Sequence, residues 1–162
     1  MNSRVTKLVP LDETDRAILR HVLDDPRVSI ADIARVVGVQ RDTVKYRMER
    51  MEKRGVITKY HAIIEPAALG LTVFMQVLIK TAPVPKEQLQ EFVHTIILHK
   101  NVTHVSRLVG KYDYLLQVAA IDIEAFDIVL DEIKAIQPGI ITEIELASII
   151  DGLKTDDFSG LV

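Results

Sequence analysis

Between Arg35 and Lys59 the chain places the cationic side chains Arg35, Arg41, Lys45, Arg47, Arg50, Lys53, Arg54 and Lys59 against only Asp42, Glu49 and Glu52. Residues 1–66 carry a formal charge of +3 and residues 67–162 one of −6, so a basic segment sits on an otherwise acidic chain. Clustered Lys and Arg neutralise phosphates, and such a segment points to a polyanionic partner. A solvated helix with ion pairs such as Glu49 with Lys53 has the same composition. Charge alone leaves both readings open.

Other chemistry is sparse. The 162 residues include no cysteine, which excludes disulfides, zinc ribbons, iron–sulfur clusters and a thiol nucleophile, and fits a cytoplasmic protein. The histidines are His21, His61, His94, His99 and His104. None forms the i,i+4 pair of a helical metal site, so structural or surface roles are expected and no metal. No Ser/His/Asp arrangement, phosphate-binding loop or carboxylate pair marks a catalytic centre, and no enzyme is expected. No apolar run reaches the ~18 residues of a membrane span, and Met1–Pro10 lacks the apolar stretch of a secretory signal. Apolar residues at 48% and charged residues at 27% describe a chain that folds.

The basic residues need elements to hold them. Leu11-Asp12-Glu13-Thr14-Asp15 reads as a helix start, with Asp12 as cap and the following acids at the positive end of the dipole. Ala17, Ile18 and Val22, flanked by Leu19 and Leu23, give it an apolar face, and Asp24-Asp25-Pro26 ends it. Ser29 caps a second helix with Ile30, Ile33, Ala34 and Val37 inward. After Gly38 a third runs from about Gln40 to Arg54, with Val44, Met48 and Met51 buried and Gly55 at its C-terminal turn. Two short helices around a glycine turn describe a helix-turn-helix. An ordinary three-helix bundle needs the same apolar residues, but it does not need Arg41, Lys45, Arg47 and Arg50 on the outer face of the third helix.

Val56–Ile64 reads as a strand stopped by Glu65-Pro66, and Ala67–Gly70 as one helical turn. From residue 72 the order is strand (Thr72–Lys80), helix (Lys86–His99), strand (Val102–Val109), strand (Tyr112–Ala120), helix (Ile123–Ile136) and strand (Ile140–Ile150). This β-α-β-β-α-β order is a ferredoxin-like split βαβ unit, so the fold class expected is α+β. The expected domains are a helix-turn-helix domain at 1–56, a strand linker at 57–71, a ferredoxin-like domain at 72–150 and a tail at 151–162. Helices cover one face of such a sheet. A second subunit is the simple cover for the other.

The chain resembles the Lrp/AsnC (feast/famine) family of transcription regulators from about Leu11 to Ile150. The residues that carry the resemblance are Leu11–Leu19, Ile33-Ala34 with Gly38, Arg47–Ile57, Leu69-Gly70, Gly110-Lys111-Tyr112-Asp113-Tyr114 and Pro138-Gly139-Ile140. Two positions depart from it. Gln40 stands where the family usually has a Ser or Thr cap. Glu143 and Glu145 stand where its last strand often carries Thr.

A helix-turn-helix lays its second helix in the major groove of double-stranded DNA. Gln40, Arg41, Thr43 and Lys45 are the expected base readers, since Gln pairs with adenine and Arg or Lys with guanine. Arg47 and Arg50 are the expected phosphate contacts. The resemblance further implies an amino-acid effector held between subunits of a dimer, tetramer or octamer, with no other cofactor and no membrane partner. Its expected residues are Arg107, Gly110, Tyr112, Asp113, Glu143 and Glu145. Asp113 would accept from the α-ammonium, while Gly110 amides or Arg107 hold the carboxylate. Glu143 and Glu145, two apart on a strand, share a side and would favour a cationic ligand such as lysine or arginine. An effector-independent architectural DNA-binding protein and a small ferredoxin-like enzyme are the alternatives. The basic third helix argues against the enzyme.

Overall fold

The computed structural model describes residues 9–150 and 158–162. Those residues form two compact units, 9–63 with 158–162 and 64–150. The division falls inside the stretch expected as a linker. Of the expected tail, residues 151–157 lie outside the described residues, and Ser159–Leu161 form a short turn beside the first helix.

In the first unit α1 spans Glu13–Asp24, α2 Ile30–Val37 and α3 Arg41–Lys53. Asp12 caps α1 by accepting from the Asp15 N–H at 2.8 Å, and the Asp15 carboxylate reaches back to the Asp12 N–H. Ser29 Oγ accepts from the Asp32 N–H at 3.1 Å to start α2. Gly38 ends α2 at φ 77°, in left-handed backbone that glycine adopts without steric cost, and so permits the sharp turn into α3. Gln40 occupies the N-cap of α3 but makes no capping bond with its side chain, which is the weaker start its residue type implies. Ile18, Leu19, Val22, Ile33, Ala34, Val44 and Met51 fill the core. Each large one contributes roughly 1.5–3 kcal/mol on burial. Ile30, expected inward, stays 37% exposed at the first turn of α2.

The strand expected over Val56–Ile64 is not formed. The Val56 and Ile57 amides bond back to the Met51 carbonyl, closing α3. Beyond them the residues find no ladder partner among the described residues. A strand exists only through its partner, and β-branched composition alone does not supply one. Tyr60, Ile63 and Ile64 are left exposed.

The second unit is an α+β sandwich of one sheet and two helices. After a short turn at Pro66–Leu69 come β1 (Val73–Thr81), α4 (Lys86–Leu98), β2 (Val102–Arg107), β3 (Tyr114–Ala120), α5 (Ile123–Ala135) and β4 (Ile141–Ser148). The sheet order is β2-β3-β1-β4, antiparallel throughout. Val77, Ile79, Tyr114, Leu116 and Val118 alternate onto the face covered by Phe92, Val93 and Ile96 of α4 and Phe126, Val129 and Ile133 of α5. The intervening residues Phe74, Gln76, Leu78, Leu115, Gln117, Glu143 and Glu145 lie on the other face, which carries no helix of this unit. β2 stops two residues earlier than expected because the Leu108 amide bonds to the Asp113 carbonyl and turns the chain. No helix among the described residues is long and apolar enough to cross a membrane.

Candidate nucleic-acid interface and ligand cluster

α3 is pinned from below. Val44 and Met51, seven residues apart, are 0% and 1% exposed and fix its inner face. Beside them Asp15 of α1 is 0% exposed. Its Oδ1 accepts from Arg47 Nη1 at 2.8 Å and its Oδ2 from Arg50 Nη2 at 2.6 Å. Arg47 Nη1 also lies 2.7 Å from Asp12 Oδ2. The Arg47 guanidinium holds the Asp12 carboxyl below its ordinary range, and the Asp12 carboxylate in turn raises Arg47. A buried carboxylate needs such partners, because desolvation without them costs several kcal/mol. Arg47 and Arg50 therefore tie α3 to α1, a role different from the outward phosphate contacts expected of them.

The outer surface differs from expectation accordingly. At 100° per residue, the row opposite Val44 and Met51 is Asp42, Tyr46, Glu49 and Lys53. All four are exposed. Arg41 and Lys45 flank this row and are exposed, and Thr43 is half-buried. Gln40 and Arg41 also border the cleft where α2 meets α3, with Ala31, Asp32, Arg35 and Val39. Arg35 is engaged by Asp32 at 2.7 Å. Tyr46 was not singled out by charge, which is blind to aromatic residues. Its place in the helical repeat was the available signal.

In the second unit a polar cluster forms where the β2–β3 loop meets β4. Lys111 Nζ lies 2.6 Å from Glu143 Oε1, 3.9 Å from Glu145 Oε2 and 2.7 Å from the Tyr112 hydroxyl. It also sits 4.6 Å from the centre of the Tyr112 ring, in cation–π range. The Tyr112 oxygen is 3.0 Å from Glu143 Oε1 and 2.5 Å from Glu145 Oε2. The Glu145 carboxylate, accepting from the phenol, raises the Tyr112 pKa, and the ammonium of Lys111 lowers that of Glu143. The ion pair with Glu143 raises Lys111 in turn.

Glu143 and Glu145 do share a side, as strand alternation requires. They are not an unmatched pair, however, because Lys111 of the same chain already stands between them. That removes the ground for expecting a cationic ligand. Asp113 is adjacent but bonded: its Oδ2 accepts from the Thr81 N–H at 2.8 Å and the Thr81 hydroxyl at 3.0 Å. Gly110 sits at the exposed loop tip with φ 151°, a conformation that side-chain-bearing residues rarely adopt. Arg107 faces Tyr114 across the β2–β3 ladder, on the helix-bearing side of the sheet. The structure therefore does not bring Arg107 to Glu143 and Glu145. Lys111 is the member that sequence reading missed, since a hairpin lysine next to glycine reads as solvated. Among the described residues no group of His, Asp and Glu has the geometry of a metal site.

Comparison with known proteins adds two family matches and several relatives. A family described as winged helix-turn-helix DNA-binding matches residues 11–58, and the Lrp/AsnC ligand binding domain matches residues 72–147. The chain is 30% identical to the transcriptional regulator AzlB of Bacillus subtilis over 118 residues, covering 73% of this chain and 75% of that one. It superposes on a crystal structure of an AsnC family transcriptional regulator from Agrobacterium tumefaciens with a TM-score of 0.81 at 30% identity, covering 90% of this chain and 94% of that one. A Neisseria meningitidis transcriptional regulator solved as an L-Met complex has the same fold, with a TM-score of 0.82 at 22% identity over 94% of this chain and all of that one.

Proposed function

The chain belongs to the Lrp/AsnC family of DNA-binding transcriptional regulators, and from that premise we propose a sequence-specific homo-oligomeric regulator whose DNA binding is tuned by an amino acid. Its relatives are transcriptional regulators, not enzymes. In this reading residues 1–56 bind DNA, 57–71 link, 72–150 hold the effector and the subunit contacts, and 151–162 form a tail. The observation that carries it is the capped α2, tight Gly38 turn and rigidly seated α3, whose exposed flank carries Gln40, Arg41 and Lys45. That flank meets base edges at the N-terminal end of α3, as the docking geometry of this motif requires. It does so in the compartment that holds the DNA, which for this regulator is the cytoplasm.

Two features support an oligomer. The helix-free sheet face carries half-buried Phe74, Leu78 and Leu115 around Gln76 and Gln117. The unpaired Tyr60–Ile64 segment exposes Ile63 at 82%. A second subunit covers both kinds of surface, and a two-fold dimer matches a palindromic operator with half-sites about 34–36 Å or a multiple apart.

For the effector, the Lys111 ammonium and the backbone amides near Gly110 suit an α-carboxylate, and Glu145 with Asp113 Oδ1, which makes no hydrogen bond among the described residues, suits an α-ammonium. Tyr112 and Glu143 hold the lysine in place. The L-Met bound by the Neisseria regulator agrees in class with a neutral amino acid. An effector-independent architectural protein remains the second reading, and the satisfied state of Lys111, Tyr112 and Glu143 favours it. Isothermal titration of the full chain against amino acids separates the two. A neutral amino acid binding with measurable heat, and losing it in Lys111→Ala, supports the first. No binding by any amino acid supports the second.

A further inference from the structure

We infer that Tyr46 determines operator specificity by reading a thymine-containing base step from the centre of α3. The inference rests on the DNA-binding reading above and extends it to a residue and a base class.

Tyr46 lies about 200° around the helix from Val44, so it projects directly away from the core. It is 65% exposed, the most exposed large apolar side chain of the three helices. Among the described residues its hydroxyl makes no hydrogen bond, and neither Asp42 nor Glu49 makes a side-chain bond or ion pair. An aromatic ring left in water at the apex of a helix contributes nothing to the fold of this unit, whose core is filled without it.

The neighbours of Tyr46 decide what it faces. Asp42 and Glu49, one turn to either side, put carboxylates on the same row. Two carboxylates there are repelled by phosphates, so this row does not belong against the backbone. Around Tyr46 the cations stand off the row: Arg41 and Lys45 lie on one flank, Arg50 on the other is held by Asp15, and only Lys53 joins the row, beside Arg54 at the C-terminal end. A helix entering the major groove with Arg41 and Lys45 over the base edges at its N-terminal end, and Lys53 and Arg54 toward the phosphates at its C-terminal end, points the Asp42–Tyr46–Glu49 stretch at the groove floor. The chemistry of the floor fits. A phenyl ring packs on the thymine methyl, a phenol donates to thymine O4 or a purine N7, and a carboxylate accepts from cytosine N4.

The test is binding-site selection with the full chain, followed by anisotropy on the selected and a scrambled duplex at several salt concentrations. Tyr46→Ala should lose preference at one or two adjacent positions containing thymine. It should weaken the selected duplex roughly 5- to 100-fold while leaving the scrambled duplex unchanged. The slope against salt should not change, because no phosphate contact is removed. Tyr46→Phe keeps the methyl contact and should retain the thymine preference at reduced affinity. Circular dichroism of each variant checks that α3 is intact. Equal weakening on both duplexes, or an unchanged selected site in Tyr46→Ala, overturns the inference while the wild-type selectivity keeps the DNA-binding reading. Failure of the wild-type chain to select any site overturns that reading instead.

Discussion

Asp15→Asn is the substitution that most sharply separates a structural lock from a surface decoration. Asp15 is fully buried and takes a guanidinium on each oxygen, Arg47 at 2.8 Å and Arg50 at 2.6 Å. Asparagine keeps the shape but replaces one acceptor oxygen with a donor nitrogen that faces a guanidinium. Breaking a fully buried pair costs about 3–5 kcal/mol. Here the arginines are 22% and 29% exposed and Arg47 retains Asp12, so solvent screening reduces the expected loss to about 2–3 kcal/mol. A unit of this size has a total stability of only about 3–9 kcal/mol, so the loss is a large share of it. Urea titration followed by far-UV circular dichroism measures it. Replacing Arg47 and Arg50 with Met in the Asp15→Asn background should restore part of the stability, since the uncompensated charges go with the acid. A loss below about 0.5 kcal/mol, the range of ordinary surface substitutions, would show that the ion cluster does not hold α3. Fully additive effects of the three changes would show the same.

Three further outcomes follow from the geometry. The Asp12 and Glu143 carboxyls are held below their ordinary pKa by Arg47 and Lys111, so their contribution to stability is present above about pH 4 and disappears as acid carries the pH below that, through the depressed folded values; an acid titration that begins to unfold near pH 6 contradicts this. Lys111→Ala leaves Glu143 and Glu145 with the Tyr112 hydroxyl and, for Glu143, the weaker pull of Lys80 across the ladder, so carboxyl NMR should show the Glu143 pKa rising, and calorimetry should show lysine or arginine gaining over neutral amino acids. Arg41→Ala should relax preference at one operator position at a cost of roughly 1–3 kcal/mol, whereas Lys53→Ala should weaken matched and scrambled DNA alike, by anisotropy.

Much of the fold was legible because it is written in local chemistry. Asp12 and Ser29 announce caps, Gly38 the turn, and Val44 with Met51 an inner face; each needs only its own neighbours. The β-α-β-β-α-β order follows from alternation and helical spacing in the same way. What was not legible depends on contacts distant in sequence. Val56–Ile64 has strand composition, but a ladder partner is a property of the fold, and the described residues offer none. Arg47 and Arg50 read as phosphate contacts because charge counting does not see Asp15, 32 and 35 residues away, buried beneath them. Glu143 and Glu145 read as an open acidic pair because Lys111 lies more than 30 residues earlier on a hairpin. In each case the side-chain type was visible and its partner was not.

In the proposed function α3, seated by Asp15, reads DNA sequence in the major groove. The most direct measurement is the ratio of the full chain's affinities for its selected duplex and for a scrambled duplex of equal length, at one fixed salt concentration near physiological. A ratio of about 10³ or more, lost when Arg41 and Tyr46 are both replaced by alanine, is the predicted result. Equal affinity for the two duplexes, with both falling together as salt rises, would contradict it.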